Sequence, residues 1–328
     1  MLCELKEASR SYRVRKGFFA RRSGRVKALD AVSLAIRKNE IVGLVGESGC
    51  GKSTLARIML GLEPPDTGAV FFDGVDLASM DKAALKGFRK RSQMVFQDPF
   101  SSLNPRKTVY SAIREPLLIH NICDRDKAGD VVAALLSDVG LDPGAAHRYP
   151  HEFSGGQRQR IGVARALATG PDLIVADEPT SALDVSIQAQ IINLLLDLQE
   201  KRRISMLFIS HDLPVVRFVS RRIAVMYRGQ LMEIAPGDRF GDDSEDSGHA
   251  HHPYTSFLLE AVPLPDPELA GNRRQGRHAS GWREGRPDAR SEGCAFAPRC
   301  AEAAEICFRQ RPVPGFEADD RMVACHAR

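Results

Sequence analysis

The chain has 328 residues, with 46 Lys and Arg against 42 Asp and Glu, and a formal net charge of +4. That length accommodates one full α/β domain and an appendage, the 43% hydrophobic and 27% charged content is ordinary for a soluble globular protein, and so small a charge gives no ground for a nucleic-acid partner. No apolar run approaches the roughly 18 residues of a membrane span, and the acidic start Met1-Leu2-Cys3-Glu4 does not read as a signal peptide, so a cytosolic setting is expected in which cysteines favour metal or cluster binding over disulfides.

Residues 2–8 alternate as a strand does. Residues 10–27 are rich in Arg and Lys and read as a solvated basic loop, apart from Tyr12, which closes the first strand. Its ring is either a core residue or a platform for a base; stacking is preferred, since an aromatic–base stack is worth about 1–3 kcal/mol. Leu29, Val32, Leu34 and Ile36 mark a second strand over 28–36.

Residues 40–45 are an apolar run of strand length, residues 46–54 read G-E-S-G-C-G-K-S-T, and a helix begins at about 55. The loop fits G-x-x-x-x-G-K-[ST] at Gly46, Gly51, Lys52 and Ser53, in the strand–loop–helix setting that separates this motif from a mere glycine-rich turn. Its glycines let the backbone around Gly46, Ser48, Gly49, Cys50, Gly51 and Thr54 curl, so that N–H groups point at phosphate oxygens beside a helix N-terminus. Lys52 is placed to reach the β- and γ-phosphates and the Ser53 hydroxyl to ligate Mg²⁺. A nucleoside triphosphate is the expected ligand.

A strand over 69–72, a helical patch with Leu85 and Phe88 and a short strand over 93–96 follow, the last stopped by Gln97-Asp98-Pro99. Gln97 alone is uninformative. Helical spacing then covers 103–140, broken at Pro143-Gly144. Ser154, Gly155 and Gly156 stand at the head of a further helix, a second anion site made of a hydroxyl and free N–H groups. Residues 173–178 are an apolar strand ending on two carboxylates. Asp177 suits Mg²⁺, directly or through its water, and Glu178 is placed to polarise an attacking water. An amphipathic helix with Ile187, Ile191, Leu194, Leu195 and Leu198 on one face leads to a strand over 204–210 and then to His211, which the sheet should bring near the γ-phosphate. Residues 223–226 and 230–233 form a closing hairpin around Arg228-Gly229.

Together these motifs resemble the ATP-binding subunit of an ABC transporter over residues 1–235. The resemblance implies an α/β P-loop NTPase fold: a mixed sheet core, an N-terminal antiparallel β region and a helical signature subdomain over 100–165. It makes 46–54 the Walker A loop, 173–178 Walker B, Gln97 the Q-loop glutamine, Ser154, Gly155, Gly156 and Gln157 the signature, Asp184 the D-loop, His211 the switch histidine and Tyr12 the adenine-stacking ring. Ser53, Gln97 and Asp177 would then surround Mg²⁺, and Glu178, His211 and Gln97 would serve catalysis. Two such domains face head to tail in this family, with each ATP between the Walker loops of one and the signature of the other.

Ser102-Leu103-Asn104-Pro105-Arg106, Arg148-Tyr149-Pro150-His151, S-A-L-D-V-S-I-Q-A-Q at 181–190 and His252-Pro253-Tyr254-Thr255 further resemble dipeptide/oligopeptide importers, and Lys16-Gly17-Phe18-Phe19 resembles the second of their two ATPase subunits. That implies ATP-driven import, a second ATPase subunit (like or unlike), two integral-membrane permease subunits, an extracytoplasmic solute-binding protein acting indirectly, and a peripheral place on the cytoplasmic face of the inner membrane. The rivals are a soluble ABC ATPase of translation or DNA repair, and an iron- or redox-sensing regulator with ATPase activity.

Residues 236–328 form an extension in which 238–247 and 272–290 read as linkers. Cys294, Cys300, Cys307 and Cys325 follow, spaced unlike the common zinc modules. Their short tail is expected to be too poor in apolar residues for a core and to need a staple. Four thiolates suit iron–sulfur or zinc, and plain buried cysteines are the other reading. The resemblance to the cysteine motif of peptide-importer ATPases implies a [4Fe–4S] cluster, with Zn²⁺ as the alternative.

Overall fold

The computed structural model describes residues 1–15, 23–240, 251–262, 292–316 and 321–328. The insert at 16–19, the run at 272–290 and most of the acidic segment at 238–247 lie outside the described residues. The strands are β1 (Cys3–Arg15), β2 (Ser23–Ile36), β3 (Ile41–Val45), β4 (Thr67–Phe72), β5 (Val75–Asp76), β6 (Ser92–Val95), β7 (Leu173–Asp177), β8 (Ser205–Ile209), β9 (Arg222–Tyr227), β10 (Gln230–Pro236), β11 (Gly315–Phe316) and β12 (Met322–Val323). The helices are α1 (Lys52–Met59), α2 (Lys82–Arg91), α3 (Pro99–Ser102), α4 (Val109–Ile119), α5 (Ala128–Asp138), α6 (Gly155–Leu167), α7 (Val185–Arg202), α8 (Leu213–Val219), α9 (Pro253–Ala261) and α10 (Glu305–Arg309).

The chain divides into two compact units that interleave along the sequence: Met1–Lys6, Ser33–Ile41 and Leu55–Ser210 form the first, and Glu7–Val32, Val42–Thr54 and His211–Arg328 the second. In the first unit β6, β7 and β8 run parallel, with Ser92 opposite Leu173 and Leu173 opposite Ser205. β7 and β8 are buried at every position. A parallel strand covered on both faces has no reason to alternate, which is why L-I-V-A and M-L-F-I read as continuous apolar runs.

The helical run expected over 103–140 is two helices in the structure. Thr108 caps α4, accepting from the Ser111 N–H at 3.3 Å, and the chain leaves that helix through Asn121 in the left-handed region (φ +50). Asparagine tolerates that conformation, so the break carries no Gly or Pro signal. The basic stretch also differs from its reading as a loop: β1 continues to Arg15 and β2 begins at Ser23. Charge does not oppose a strand whose partner is satisfied by backbone hydrogen bonds alone.

In the second unit β3 is parallel to β9, and β9 is antiparallel to β10 through the tight turn Arg228 (φ +45) and Gly229 (φ +83). Both central residues at positive φ suit the right-handed twist of a two-residue hairpin. β12 pairs with β10, setting Val323 opposite Glu233 and Met322 opposite Ile234. The cysteine tail also shares a core. Phe296 is buried against Tyr227 and Tyr254, its ring centroid 5.4 and 5.2 Å from theirs. Each such ring buried contributes roughly 1.5–3 kcal/mol, so the tail is not held by a staple alone.

Glu233 anchors this region. It is fully buried on β10, accepts the His252 N–H at 2.9 Å and lies 2.7 Å from His251 Nδ1, with Arg321 Nε at 3.7 Å. Burial alone would push its carboxyl up; His251 and the His252 backbone N–H outweigh that and hold it below the usual carboxylate value.

Candidate nucleotide site

The phosphate loop joins β3 to α1 in the second unit. Gly51 has φ +114, and a Cβ there would stand 2.3 Å from the Ala28 carbonyl oxygen, so only glycine fits. Lys52 is buried and arches over its own loop, donating to the carbonyl oxygens of Gly46 at 2.7 Å and Glu47 at 3.2 Å, with Cys50 Sγ at 4.0 Å. A phosphate oxygen is a stronger acceptor for that ammonium than any of the three. Thr54 is buried, Ser53 half-buried, and Ser48 and Gly49 exposed. Burial pushes the Cys50 thiol up against the pull of Lys52, which keeps it protonated and inert.

In the first unit β7 ends on the buried Asp177. The next residue, Glu178, has φ +45, a conformation costing an L-residue about 1–3 kcal/mol. Its N–H donates to the Ile209 carbonyl at 2.9 Å, and Gln97 Nε2 donates to its Oε2 at 3.0 Å. Gln97 and Glu178 follow the carboxyl ends of the adjacent parallel strands β6 and β7, the edge at which open α/β sheets bind ligands.

Ser154 and Gln157 form a reciprocal cap on α6: Ser154 Oγ accepts the Gln157 N–H at 3.3 Å, and Gln157 Oε1 accepts the Ser154 N–H at 2.9 Å. A Cβ on Gly156 would lie 2.5 Å from Ile187 Cγ2, so this glycine also seats α6 against α7. Asp184 stands at the N-cap of α7 without a side-chain cap bond. Tyr12 is half-buried on β1, with the Arg10 guanidinium 5.4 Å from its ring centroid. His211 is exposed and begins the last segment of the second unit, just before Asp212, which caps α8. Gln97, Ser154, Gly155, Gly156, Gln157, Asp177, Glu178 and Asp184 thus belong to the first unit, and Tyr12, the loop at 46–54 and His211 to the second.

Cys294, Cys300, Cys307 and Cys325 line one cavity of about 20 Å³ in the second unit, together with His252 and Phe296. All are free thiols. Burial raises Cys300 to about 11 and pushes Cys294 and Cys325 up as well, with neighbouring cysteines adding to the effect. Among the described residues no group of three or more His, Cys, Asp or Glu is arranged to hold a metal ion. The donor set converges on one space without forming a ligand shell.

Sequence reasoning missed the partners of Glu47. Its N–H donates to Tyr254 Oη at 3.1 Å, and its carboxylate takes Arg299 Nη1 at 2.9 and 3.0 Å. Tyr254 was visible within H-P-Y-T and Arg299 beside Cys300, but nothing in the sequence joins either to residue 47.

A strand–loop–helix phosphate site, a strand-end carboxylate pair and a capped signature helix define an ATP-binding cassette. The comparisons agree. A family profile described as "ABC transporter" matches residues 29–181, and one described as "Oligopeptide/dipeptide transporter, C-terminal region" matches 232–307. The "Oligopeptide transport ATP-binding protein AppF" of Bacillus subtilis (strain 168) is 47% identical over 326 residues, 99% of this chain and 97% of that one. The "Probable peptide ABC transporter ATP-binding protein y4tS" of Sinorhizobium fredii is 44% identical over 329 residues, covering 100% and 90%. Among solved structures, the dimeric post-hydrolysis ATP-binding cassette MJ0796 bound to ADP and Pi aligns with TM-score 0.63 at 30% identity, over 72% of this chain and 98% of that one. The chain belongs to the ABC transporter family, as an ATP-binding protein of its oligopeptide/dipeptide transport group. It is an ATPase, and neither rival reading is favoured. No helix among the described residues is long and apolar enough to cross a membrane.

Proposed function

We propose that the chain hydrolyses ATP to drive the import of dipeptides or oligopeptides, paired with a second ATPase subunit and two permease subunits, at the cytoplasmic face of the inner membrane. A solute-binding protein on the other side would supply the cargo. The roles follow from the residues. Lys52 and the loop amides hold the β- and γ-phosphates and Tyr12 stacks on the adenine, while Ser53, Gln97 and Asp177 would hold Mg²⁺, which would supply charge neutralisation at the phosphates. Glu178 accepts a proton from the attacking water, and Gln97 orients that carboxylate. His211 faces the γ-phosphate, and the N-terminus of α6 from the opposing subunit closes the site through Ser154, Gly155, Gly156 and Gln157, with Asp184 at the subunit boundary. Residues 1–235 form the ATPase domain and 236–328 its extension.

The observation that carries this reading is the Gln97–Glu178 hydrogen bond at the carboxyl ends of β6 and β7, which supplies a water-activating base with an orienter. Reconstitution with the cognate permeases in vesicles tests it: ATP hydrolysis that rises when peptide-loaded binding protein is added supports the reading, and indifference to peptide opposes it.

The four cysteines bind a [4Fe–4S] cluster, or Zn²⁺ in its place. Support comes from four thiols lining one cavity. The bound group would supply folding energy to the tail rather than chemistry to the ATPase.

A further inference from the structure

The phosphate loop is gripped from outside the ATPase motifs. Glu47 is its second residue, between Gly46 and Ser48. The backbone N–H of Glu47 donates to Tyr254 Oη at 3.1 Å. Its carboxylate is held by one nitrogen of Arg299, Nη1, at 2.9 Å from Oε1 and 3.0 Å from Oε2. Tyr254 lies in the first turn of α9 and Arg299 directly precedes Cys300, so both holds come from the C-terminal extension. All three residues belong to the second unit.

Arg299 is itself fixed. The guanidinium lies 4.9 Å from the Phe257 ring centroid, 5.7 Å from Phe296 and 5.8 Å from Tyr227, and its Nη1 is 3.4 Å from Tyr227 Oη. A guanidinium held on three rings loses little further freedom when it pairs with a carboxylate. It is also the less exposed partner, with 23% of its side chain accessible against 41% for Glu47. Tyr254 is wholly buried, its ring centroid 4.6 Å from that of Tyr227 with the planes tilted by 53°. Tyr227 ends β9, and two residues further on the Gly229 N–H donates to the Cys50 carbonyl at 2.7 Å. The loop is therefore tied at Glu47 by the extension and at Cys50 by the β9–β10 turn.

A carboxylate inside a phosphate-binding loop poses an electrostatic problem, because it repels a triphosphate unless a fixed cation neutralises it. We infer that Arg299 and Tyr254 are positioning residues of the nucleotide site, which neutralise Glu47 and set the loop's backbone so that the extension controls nucleotide affinity. Neither touches the reacting atoms; both act through Glu47. This rests on the loop at 46–54 being the nucleotide site.

The test is equilibrium binding of MgATP to the full-length chain, with steady-state hydrolysis and thermal unfolding of the nucleotide-free protein measured alongside. Arg299→Ala should raise the Kd and KM for MgATP roughly tenfold, the size of a lost charge-assisted hydrogen bond, with little change in kcat. Glu47→Gln placed in the Arg299→Ala background should recover most of that loss, because the uncompensated charge is gone. Arg299→Lys should fall between the two. Tyr254→Phe, which removes a single oxygen and keeps the packing, should weaken binding several-fold with little change in melting temperature. Lys52→Ala separates the two readings. If it loses MgATP while Arg299→Ala and Tyr254→Phe bind as the natural chain does, the inference fails and the nucleotide site stands. If Lys52→Ala also binds normally, the loop is not the nucleotide site and both fail. If Glu47→Gln recovers nothing in the Arg299→Ala background, the charge argument is wrong and the inference is overturned.

Discussion

Gln97 and Glu178 stand 81 positions apart in the chain, and the Gln97 amide donates to the Glu178 carboxylate at 3.0 Å. Because β6 and β7 are parallel and in register, both residues leave the sheet at the same edge. The amide holds one oxygen of the Glu178 carboxylate. Gln97→Ala should therefore lower kcat by roughly ten- to a hundredfold, the weight of one hydrogen bond to a charged group, with a smaller loss of MgATP affinity from its place beside Mg²⁺. A change confined to KM would leave Gln97 a binding role alone and remove it from orienting Glu178.

The signature helix yields a second expectation. Ser154 both caps α6 and heads the N–H array expected to meet a partner's ATP. Ser154→Ala should cost about 1 kcal/mol of stability through the lost cap. Ser154→Arg should abolish hydrolysis while the same subunit's loop still binds ATP. In a mixed dimer of Ser154→Arg and Lys52→Ala subunits one composite site has both halves intact and the other has both damaged, so partial activity should return. Full-rate hydrolysis by a monomer at every dilution would show that no site is shared.

Acid sensitivity should trace to Glu233. Its folded pKa lies below the ordinary value of 4.5, so its contribution is present above that value and is lost as pH falls through the folded one. The melting temperature should drop as the pH falls below 4.5 and through the folded value. Glu233→Gln should be less stable at neutral pH, by up to about 3–5 kcal/mol, because the buried carboxylate facing His251 and Arg321 is lost, and should show a shallower acid slope. An unchanged slope in that variant would move the acid sensitivity to other carboxylates.

Much of the candidate site is legible in the sequence because its motifs are local. A phosphate loop needs glycines, a lysine and a serine at fixed spacing between a strand and a helix, and residues 46–54 carry all of them. The fully buried β7 and β8 were equally plain as apolar runs. What the sequence hid is non-local or conformational. The left-handed backbone at Glu178 has no residue-type signature, and Asn121 ends α4 without Gly or Pro. The partnership of Glu47 with Arg299 spans 252 positions, beyond any periodicity. The core of the cysteine tail was missed for the same reason: Phe296 packs on Tyr227 and Tyr254, rings from distant stretches.

The cysteine cavity makes a prediction with a colour. Prepared anaerobically, the protein should contain iron and labile sulfide and absorb near ~400 nm, as thiolate-bound clusters do. Replacing Cys294, Cys300, Cys307 or Cys325 by Ser should bleach it and loosen the tail, with the aromatic packing around Phe296 limiting the loss. Stoichiometric zinc would select the alternative metal. A metal-free protein with an equally stable tail would make these plain buried thiols.

The central claim is that Glu178 is the base of an ATPase whose triphosphate sits on the loop at 46–54. The most direct measurement is single-turnover hydrolysis and MgATP binding by Glu178→Gln beside the natural chain. The account predicts a hydrolysis rate lower by roughly 10²–10⁴-fold, the usual weight of a general base, with MgATP binding retained. Hydrolysis at the natural rate in Glu178→Gln would contradict it.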